Sequence, residues 1–156
     1  MSSTIADPGE RITSATLRRA SPDDDANLRD LLRDAGLPFD DVVVGRQAFV
    51  LAMVDRDVVG CVGLEGFGTD GLLRSLAVRE RHRGGGLGRA LFERIVEEAR
   101  SQGIQRLFLL TTSAASFFAR RGFVPVDRSA APEGMSKSAQ FASLCPSTAA
   151  CMTMAL

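Results

Sequence analysis

The residues most able to do chemistry form a glycine-rich, basic segment, residues 79–89, with the sequence RERHRGGGLGR. Glycine lets backbone N–H groups converge on a ligand because it has no Cβ atom in the way. The arginines attract an anion, and so does the positive end of the dipole of a helix that we expect to begin near Leu87. The segment therefore predicts a cradle for a pyrophosphate group, with a solvated turn between a strand and a helix as the alternative.

Two common phosphate-binding motifs do not fit this segment. A P-loop needs Gly-Lys-Ser/Thr after its glycines, whereas Gly88 is followed by Arg89 and Ala90, so the hydroxyl that would bind Mg²⁺ is missing. A dinucleotide fingerprint, GxGxxG/A, fails at its last position, where the two overlapping readings meet Arg89 and Leu91. The phosphate ligand is therefore expected to be of another kind.

The elements that position the segment follow from the spacing of apolar residues. A strand is predicted over residues 72–78, before the segment, and a helix over residues 87–102, after it. Glycines 63, 66, 68 and 71 are expected to form a flexible turn ahead of that strand. Further strands are predicted over residues 13–19, 49–54, 58–64, 106–111, 123–126 and 150–156, and further helices after Ser21 and over residues 113–121.

The composition restricts the class of protein. The chain has 156 residues, 45% of them apolar and 24% charged, which is typical of a soluble globular domain. We expect a flexible leader over residues 1–12 and a single domain over residues 13–156. With 19 basic and 19 acidic side chains, the chain is not expected to bind nucleic acid or a membrane through phosphate charge. With three cysteines and one histidine, it is not expected to hold a metal. A cytoplasmic location is the expectation.

The stretch RGGGLG at residues 83–88 matches the signature Q/R-x-x-G-x-G/A and resembles the GNAT family of N-acetyltransferases. The step from Gly122 to Phe123 is similar to one that is usual in the family, and the resemblance extends from about residue 13 onward. Residues 63–65, 71–78 and 141–146 resemble the subgroup named for arsenic resistance. The resemblance implies an α/β (α+β) fold: a mixed, mostly antiparallel sheet, helices on both faces, and a splayed central pair of parallel strands.

The resemblance also implies a co-substrate, acetyl-coenzyme A, and no metal. Its pantetheine arm is expected along the strand before the glycine loop and its pyrophosphate on the loop itself. A backbone N–H near Val78, exposed by a bulge, is expected to polarise the thioester carbonyl for direct attack by an amine. The residues that this assigns to the co-substrate are Leu76, Ala77 and Val78 in the strand, and Arg83, Gly84, Gly85, Gly86, Leu87, Gly88 and Arg89 in the loop.

Two charged residues are candidates for handling the amine. Glu65, at the end of an apolar strand, is a candidate base that accepts the proton of the incoming ammonium group; the alternative is a solvated carboxylate at a loop edge. Arg74 shares a face with Leu76 and Val78 if the strand alternates regularly. Its guanidinium is a candidate for two-pronged binding of a carboxylate or phosphinate on the acceptor, and an ion pair with a neighbouring acid is the alternative.

The family often has a tyrosine that protonates the departing thiolate, and this chain has no tyrosine at all. The corresponding position is Phe118. Cys145, with an ordinary thiol pKa of about 8.5, is a candidate proton donor, and a buried small apolar residue is the alternative for it. Ser113, Ser116 or water are weaker donors.

The leading functional prediction is acetylation of the amine of a small amino acid or an amino-acid-like toxin, such as glutamate, phosphinothricin or an arsinothricin-like compound. The partner is thus a small-molecule amine, not nucleic acid or a membrane, and a homodimer is left open. Two alternatives remain from the sequence: acetylation of a protein N-terminus or lysine, and a non-catalytic sensor that binds acyl-coenzyme A. The missing tyrosine keeps the sensor in consideration.

Overall fold

The structure is a computed structural model, and it describes residues 15–144 and 147–156. The expected leader and Cys145 lie outside the described residues. The strands are β1 (Thr16–Arg19), β2 (Ala48–Val54), β3 (Asp57–Phe67), β4 (Asp70–Val78), β5 (Arg106–Thr111), β6 (Val124–Pro125) and β7 (Ala150–Ala155). The helices are α1 (Asp25–Asp34), α2 (Leu87–Ser101), α3 (Ala115–Ala119) and α4 (Glu133–Ser136).

The strands form one sheet in the order β1-β2-β3-β4-β5-β7-β6. The pairs β1/β2, β5/β7 and β6/β7 are antiparallel, whereas β4 and β5 are parallel. The parallel register joins Asp70–Leu72 to Arg106–Phe108, at the beginning of both strands. The predicted α/β fold, with a mostly antiparallel sheet, a parallel pair and helices, is confirmed.

The first of two compact units comprises the described residues up to Gly63 together with Ser75–Ile95. Its core forms because α1 carries apolar residues at helical spacing, and these bury against apolar residues of β2 and β3. Gly36, with a φ of +71°, follows the helix in the left-handed conformation that ends many helices. The buried residues of this core are Leu28, Leu31, Leu32, Val42, Phe49, Leu51, Val58, Cys61 and Ala77.

The start of α1 is held by Asp24 in the turn that precedes the helix. Its carboxylate accepts hydrogen bonds from the Ser21 backbone N–H at 2.7 Å and from the two terminal nitrogens of Arg18 at 2.8 and 2.9 Å. These bonds, with that of Arg18 the largest contribution, lower the pKa of Asp24 to about 2. The helix predicted after Ser21 therefore begins beside a buried, charged anchor, Asp24.

The second unit comprises Leu64–Arg74 and the described part of Val96–Leu156. Residues 128–144, for which the sequence predicted no helix or strand, form short helical turns there, including α4 and a π-helical turn at Gln140–Leu144. Met135 and Phe141 of this region are buried with residues of the sheet. The core residues of the unit are Leu72, Phe108, Ala131, Met135, Phe141 and Cys151.

The prediction that four glycines form a turn before β4 is mostly wrong. Gly63 and Gly66 lie inside β3 and Gly71 inside β4, so the turn is limited to Gly68, whose φ is +69°, and its neighbour Thr69. Packing explains the glycine at position 71, because an added Cβ would lie 3.0–3.1 Å from side-chain atoms of Leu64, Ile104 and Leu107.

In the described part of the chain, no helix is long and apolar enough to cross a membrane.

Candidate functional site

Strand β4 is not regular along its length, because Ser75 has a φ of +60°. The Cys61 thiol donates a hydrogen bond to the Ser75 carbonyl at 3.1 Å. A left-handed residue inside a strand is typical of a bulge, and it interrupts the two-residue alternation of side chains. Regular alternation therefore does not place Arg74 on the same face as Leu76, because Ser75 lies between them. The irregularity also lies at Ser75 rather than beside Val78, where the sequence suggested a bulge.

The chain after β4 turns back on itself before it reaches the glycines. The Arg79 N–H donates to the Val59 carbonyl at 2.8 Å, which ends the strand against β3. Residues Glu80–His82 form one 3₁₀ turn, and the Nε of Arg83 then donates to the Val78 carbonyl at 2.8 Å. The end of β4 and the beginning of the basic loop are thus tied together within a few residues.

The glycine loop has the backbone geometry that its sequence predicted. Gly84 and Gly86 have φ values of +82° and +89°, and an added Cβ on either would meet no atom within 4 Å. These two positions therefore need glycine for their conformation, and they border open space in which a ligand can lie. The Ala90 N–H donates to the Gly86 carbonyl at 3.0 Å, so α2 begins directly after the loop. The first N–H groups of a helix lack partners within it and are suited to an anion.

A cavity of about 620 Å³ lies beside this loop, between its start and the end of α1. Its wall combines apolar atoms with charges of both signs. Arg79 donates from Nη1 to Asp34 at 2.9 Å and from Nε to the Val58 carbonyl at 3.1 Å, so its guanidinium is held in place. A volume of this size can take a substantial part of a small-molecule ligand. The lining residues are Leu31, Asp34, Ala35, Val78, Arg79, Glu80, Arg81 and Arg83.

Arg74 and Glu65, both in the second unit, are brought together as an ion pair. The Arg74 side chain is completely buried, the Glu65 side chain is 20% exposed, and Nη1 lies 3.7 Å from Oε1. A buried guanidinium requires a compensating charge, and Glu65 supplies it. Glu65 lies inside β3 rather than at the end of a strand. The ion pair that the sequence offered as an alternative for Arg74 is therefore present, and Glu65 is its partner.

The residue at the position of the family's tyrosine is an ordinary core aromatic. Phe118 is 5% exposed and packs edge-to-face against Phe117 and Phe123, with ring centroids 5.1 and 5.5 Å away.

Burial raises the pKa of the Cys151 thiol above its ordinary value. Among residues 15–144 and 147–156, no group of three or more His, Cys, Asp or Glu side chains could hold a metal ion.

Sequence reasoning missed two contacts around the loop. The hydrogen bond from the Cys61 thiol to Ser75 was not predicted, and neither was the ion pair of Asp34 with Arg79. Both contacts join residues distant in the chain, 14 positions apart for Cys61 and Ser75 and 45 for Asp34 and Arg79. Neither pair has a local signal, so only the folded arrangement of the first unit identifies them.

Comparison with known protein families and curated proteins gives consistent matches. The model of a family described as an acetyltransferase (GNAT) domain matches residues 45–125. The chain is 30% identical over 132 residues to the amino-acid acetyltransferase of Salmonella typhi and 37% identical over 125 residues to that of Pseudomonas fluorescens. These matches cover 78% and 72% of this chain, and 29% and 28% of the relatives. The chain thus spans less than a third of the length of the curated relatives that it matches.

Solved structures share the fold. N-acetylglutamate synthase from Neisseria gonorrhoeae, complexed with coenzyme A and N-acetyl-glutamate, matches with a TM-score of 0.78 and 25% identity, over 94% of this chain and 36% of that chain. A Mycobacterium tuberculosis protein in complex with CoA matches with a TM-score of 0.75 and 25% identity, over 90% of this chain and 99% of that chain. The second match shows that the fold also occurs in a protein of about this length.

Proposed function

Because the chain belongs to the GNAT acetyltransferase family, we propose that it uses acetyl-coenzyme A to acetylate the amine of a small amino acid. The observation that carries this proposal is the glycine loop at the start of α2, with left-handed Gly84 and Gly86 bordering open space. The curated relatives named amino-acid acetyltransferase support the choice of acceptor.

The loop and the end of β4 form the proposed co-substrate site. Backbone N–H groups of Gly84–Gly88 and the first turn of α2 hold the pyrophosphate, assisted by Arg83 and Arg89. The backbone of Leu76–Val78 contacts the pantetheine and acetyl groups. Two of the solved neighbours were crystallised with coenzyme A, which supports this assignment. When bound, acetyl-coenzyme A supplies an acetyl thioester that an amine can attack directly, with release of a thiol.

Arg74 and Glu65 form the proposed acceptor site. An amino acid carries a carboxylate and an ammonium group on one carbon atom, and a guanidinium beside a carboxylate is complementary to both. Arg74 binds the acceptor carboxylate, and Glu65 takes the proton that the ammonium group must lose before it attacks. The Arg74 side chain is completely buried against Glu65 in the structure, so binding of the acceptor must open a path to the guanidinium.

Within this class, we propose glutamate and its phosphinate or arsinate analogues as acceptors. The solved neighbour with N-acetyl-glutamate supports glutamate. The phosphinothricin- and arsinothricin-like compounds, and a link to arsenic resistance, rest on the sequence resemblance to that subgroup. A cytoplasmic location, a single domain over residues 13–156 and a homodimer stay predictions.

The departing thiolate needs a proton from a source other than a phenol. Phe118 offers no acid and lies in the core, so water or Cys145 is the proposed donor. Loss of a phenol does not affect binding of the co-substrate or attack by the amine. The observation at Phe118 is also what favours the second candidate, a sensor that binds acyl-coenzyme A without turnover.

A free-thiol assay tests the proposal. The purified protein is incubated with acetyl-coenzyme A and, in turn, with amino acids, simple amines, a lysine peptide, aminoglycosides and phosphinothricin. We expect thiol release with glutamate-like acceptors, and we expect Glu65→Gln to lower turnover without weakening binding of acetyl-coenzyme A. Binding of coenzyme A without thiol release for any amine would instead identify a sensor. Release with the lysine peptide alone would point to a protein acetyltransferase.

A further inference from the structure

The Ser75 carbonyl is turned out of the sheet towards the Cys61 thiol. Backbone carbonyls of a regular strand point at the neighbouring strands, whereas side chains stand above and below the sheet. The Ser75 oxygen accepts a hydrogen bond from a side chain, at 3.1 Å from the sulfur, so its peptide is inclined towards the face of the sheet on which Cys61 lies. The φ of +60° at Ser75 accompanies this inclination.

The inclination also fixes the direction of the next backbone donor. The chain has no cis peptide bond in its described part, so the Leu76 N–H points opposite to the Ser75 carbonyl in the same peptide plane. Cys61 is completely buried in the core that α1 covers, together with Leu28 and Leu31. The Ser75 carbonyl therefore faces the α1 side, and the Leu76 N–H faces away from it.

Val59 and Gly60, the two residues before Cys61, lie against the end of β4. The Val59 carbonyl accepts the Arg79 N–H at 2.8 Å. Between them, Gly60 lies so close to the end of β4 that an added Cβ would be 3.1 Å from the Ala77 oxygen. Val59 and Cys61 thus hydrogen-bond Arg79, just after β4, and Ser75, within it, while Gly60 allows the two chains to pack closely between these bonds. The thiol is the contact that holds the irregular residue.

We propose that Cys61 is a positioning residue for acetyl transfer: its thiol holds the Ser75–Leu76 peptide so that the Leu76 N–H is directed at the acetyl carbonyl. This inference rests on the proposed function, which assigns Leu76–Val78 to the acetyl and pantetheine groups. Cys61 takes no proton and forms no covalent bond in this role. A donor aimed at the developing oxyanion accelerates the reaction only if its direction is maintained.

Three cysteine variants test the inference. Cys61→Ala removes the donor, Cys61→Ser keeps a hydroxyl donor, and Cys151→Ala removes the same atoms from a buried cysteine in the other unit. We expect Cys61→Ala to lower kcat about two- to tenfold, the effect of losing one hydrogen bond, with the Kd of coenzyme A changed less than about twofold. Cys61→Ser should recover most of kcat, and Cys151→Ala should retain kcat.

A pair of variants at Ser75 gives the same test without altering the core. Ser75→Gly accepts a φ of +60° without strain, whereas Ser75→Val strongly disfavours it. We expect Ser75→Val to lower kcat more than Ser75→Gly does, because only valine opposes the left-handed backbone. The inference would be overturned if Ser75→Gly and Ser75→Val had equal kcat values, or if Cys61→Ala and Cys151→Ala did. In either case the unaltered protein would still release thiol, so the proposed function would stand. Absence of that release would refute the proposed function itself, and the inference with it.

Discussion

Removing the charge of Glu65 should destabilise the protein strongly, because it removes the carboxylate that faces the buried guanidinium of Arg74. At 3.7 Å and an effective dielectric constant of about 20, the attraction between the two charges amounts to about 4.5 kcal/mol. Glu65→Gln preserves the shape of the side chain and retains a polar oxygen, which offsets part of this loss. We expect the free energy of unfolding to fall by about 3 kcal/mol, within the range found for broken buried pairs.

Equilibrium urea denaturation at neutral pH measures this change, with Glu133→Gln as the matched control. Glu133 pairs with Lys137 at 3.0 Å, but their side chains are 82% and 74% exposed, so little or no measurable change is expected there. The double variant Glu65→Gln/Arg74→Met should recover part of the lost stability, since no charge then remains buried. A loss below about 1 kcal/mol for Glu65→Gln would refute the assignment of a buried, coupled pair.

Three further predictions concern the acceptor, the loop and the start of α1. Arg74→Lys keeps a positive charge but loses the forked geometry, so the KM for a carboxylate-bearing acceptor should rise while that for acetyl-coenzyme A stays unchanged; steady-state kinetics decides this. Gly86→Ala strains the left-handed backbone by about 1 kcal/mol. We expect the unbound loop to relieve this strain by changing conformation, so that binding of coenzyme A, which restores the loop, weakens about fivefold by calorimetry. Gly36→Ala is strained at φ +71° but lies outside the loop, so it should leave that affinity intact. The lowered pKa of Asp24 makes its carboxylate stabilising above about pH 4 and progressively less so as the pH falls towards 2. Asp24→Asn should remove about 2 kcal/mol of this pH dependence of the free energy of unfolding, measured by acid denaturation. If the free energy of unfolding kept the same slope against pH in this variant, Asp24 would not be the charged anchor of α1.

The parts of the fold with strong local signals could be predicted from the sequence. The predicted strand over residues 106–111 coincides with β5, and the predicted helix over residues 87–102 differs from α2 by one residue at its end. A continuous apolar run and a repeated helical spacing each constrain the backbone over several neighbouring residues. The glycine loop was predictable for the same reason, because its conformational requirement lies within the loop itself.

The details of the site depend on contacts between distant residues, and these have no local signal. Serine has no special preference for a positive φ, so nothing in the sequence around Ser75 marks an irregular strand. Glycine at 71 suggested a turn but instead makes room for neighbouring side chains. For Arg74 the sequence correctly offered an ion pair as one of two roles, and only the structure identifies Glu65 as the partner.

The shortness of β6 affects how copies of this chain could associate. In the described residues the sheet ends at β6, which has only Val124 and Pro125, and proline has no N–H to offer a further strand. This edge is therefore a poor template for a strand from another molecule, and it resists the edge-to-edge association that leads to aggregation. Any homodimer formed on this side of the molecule would have to rely on side-chain surfaces rather than on a sheet continued across the interface.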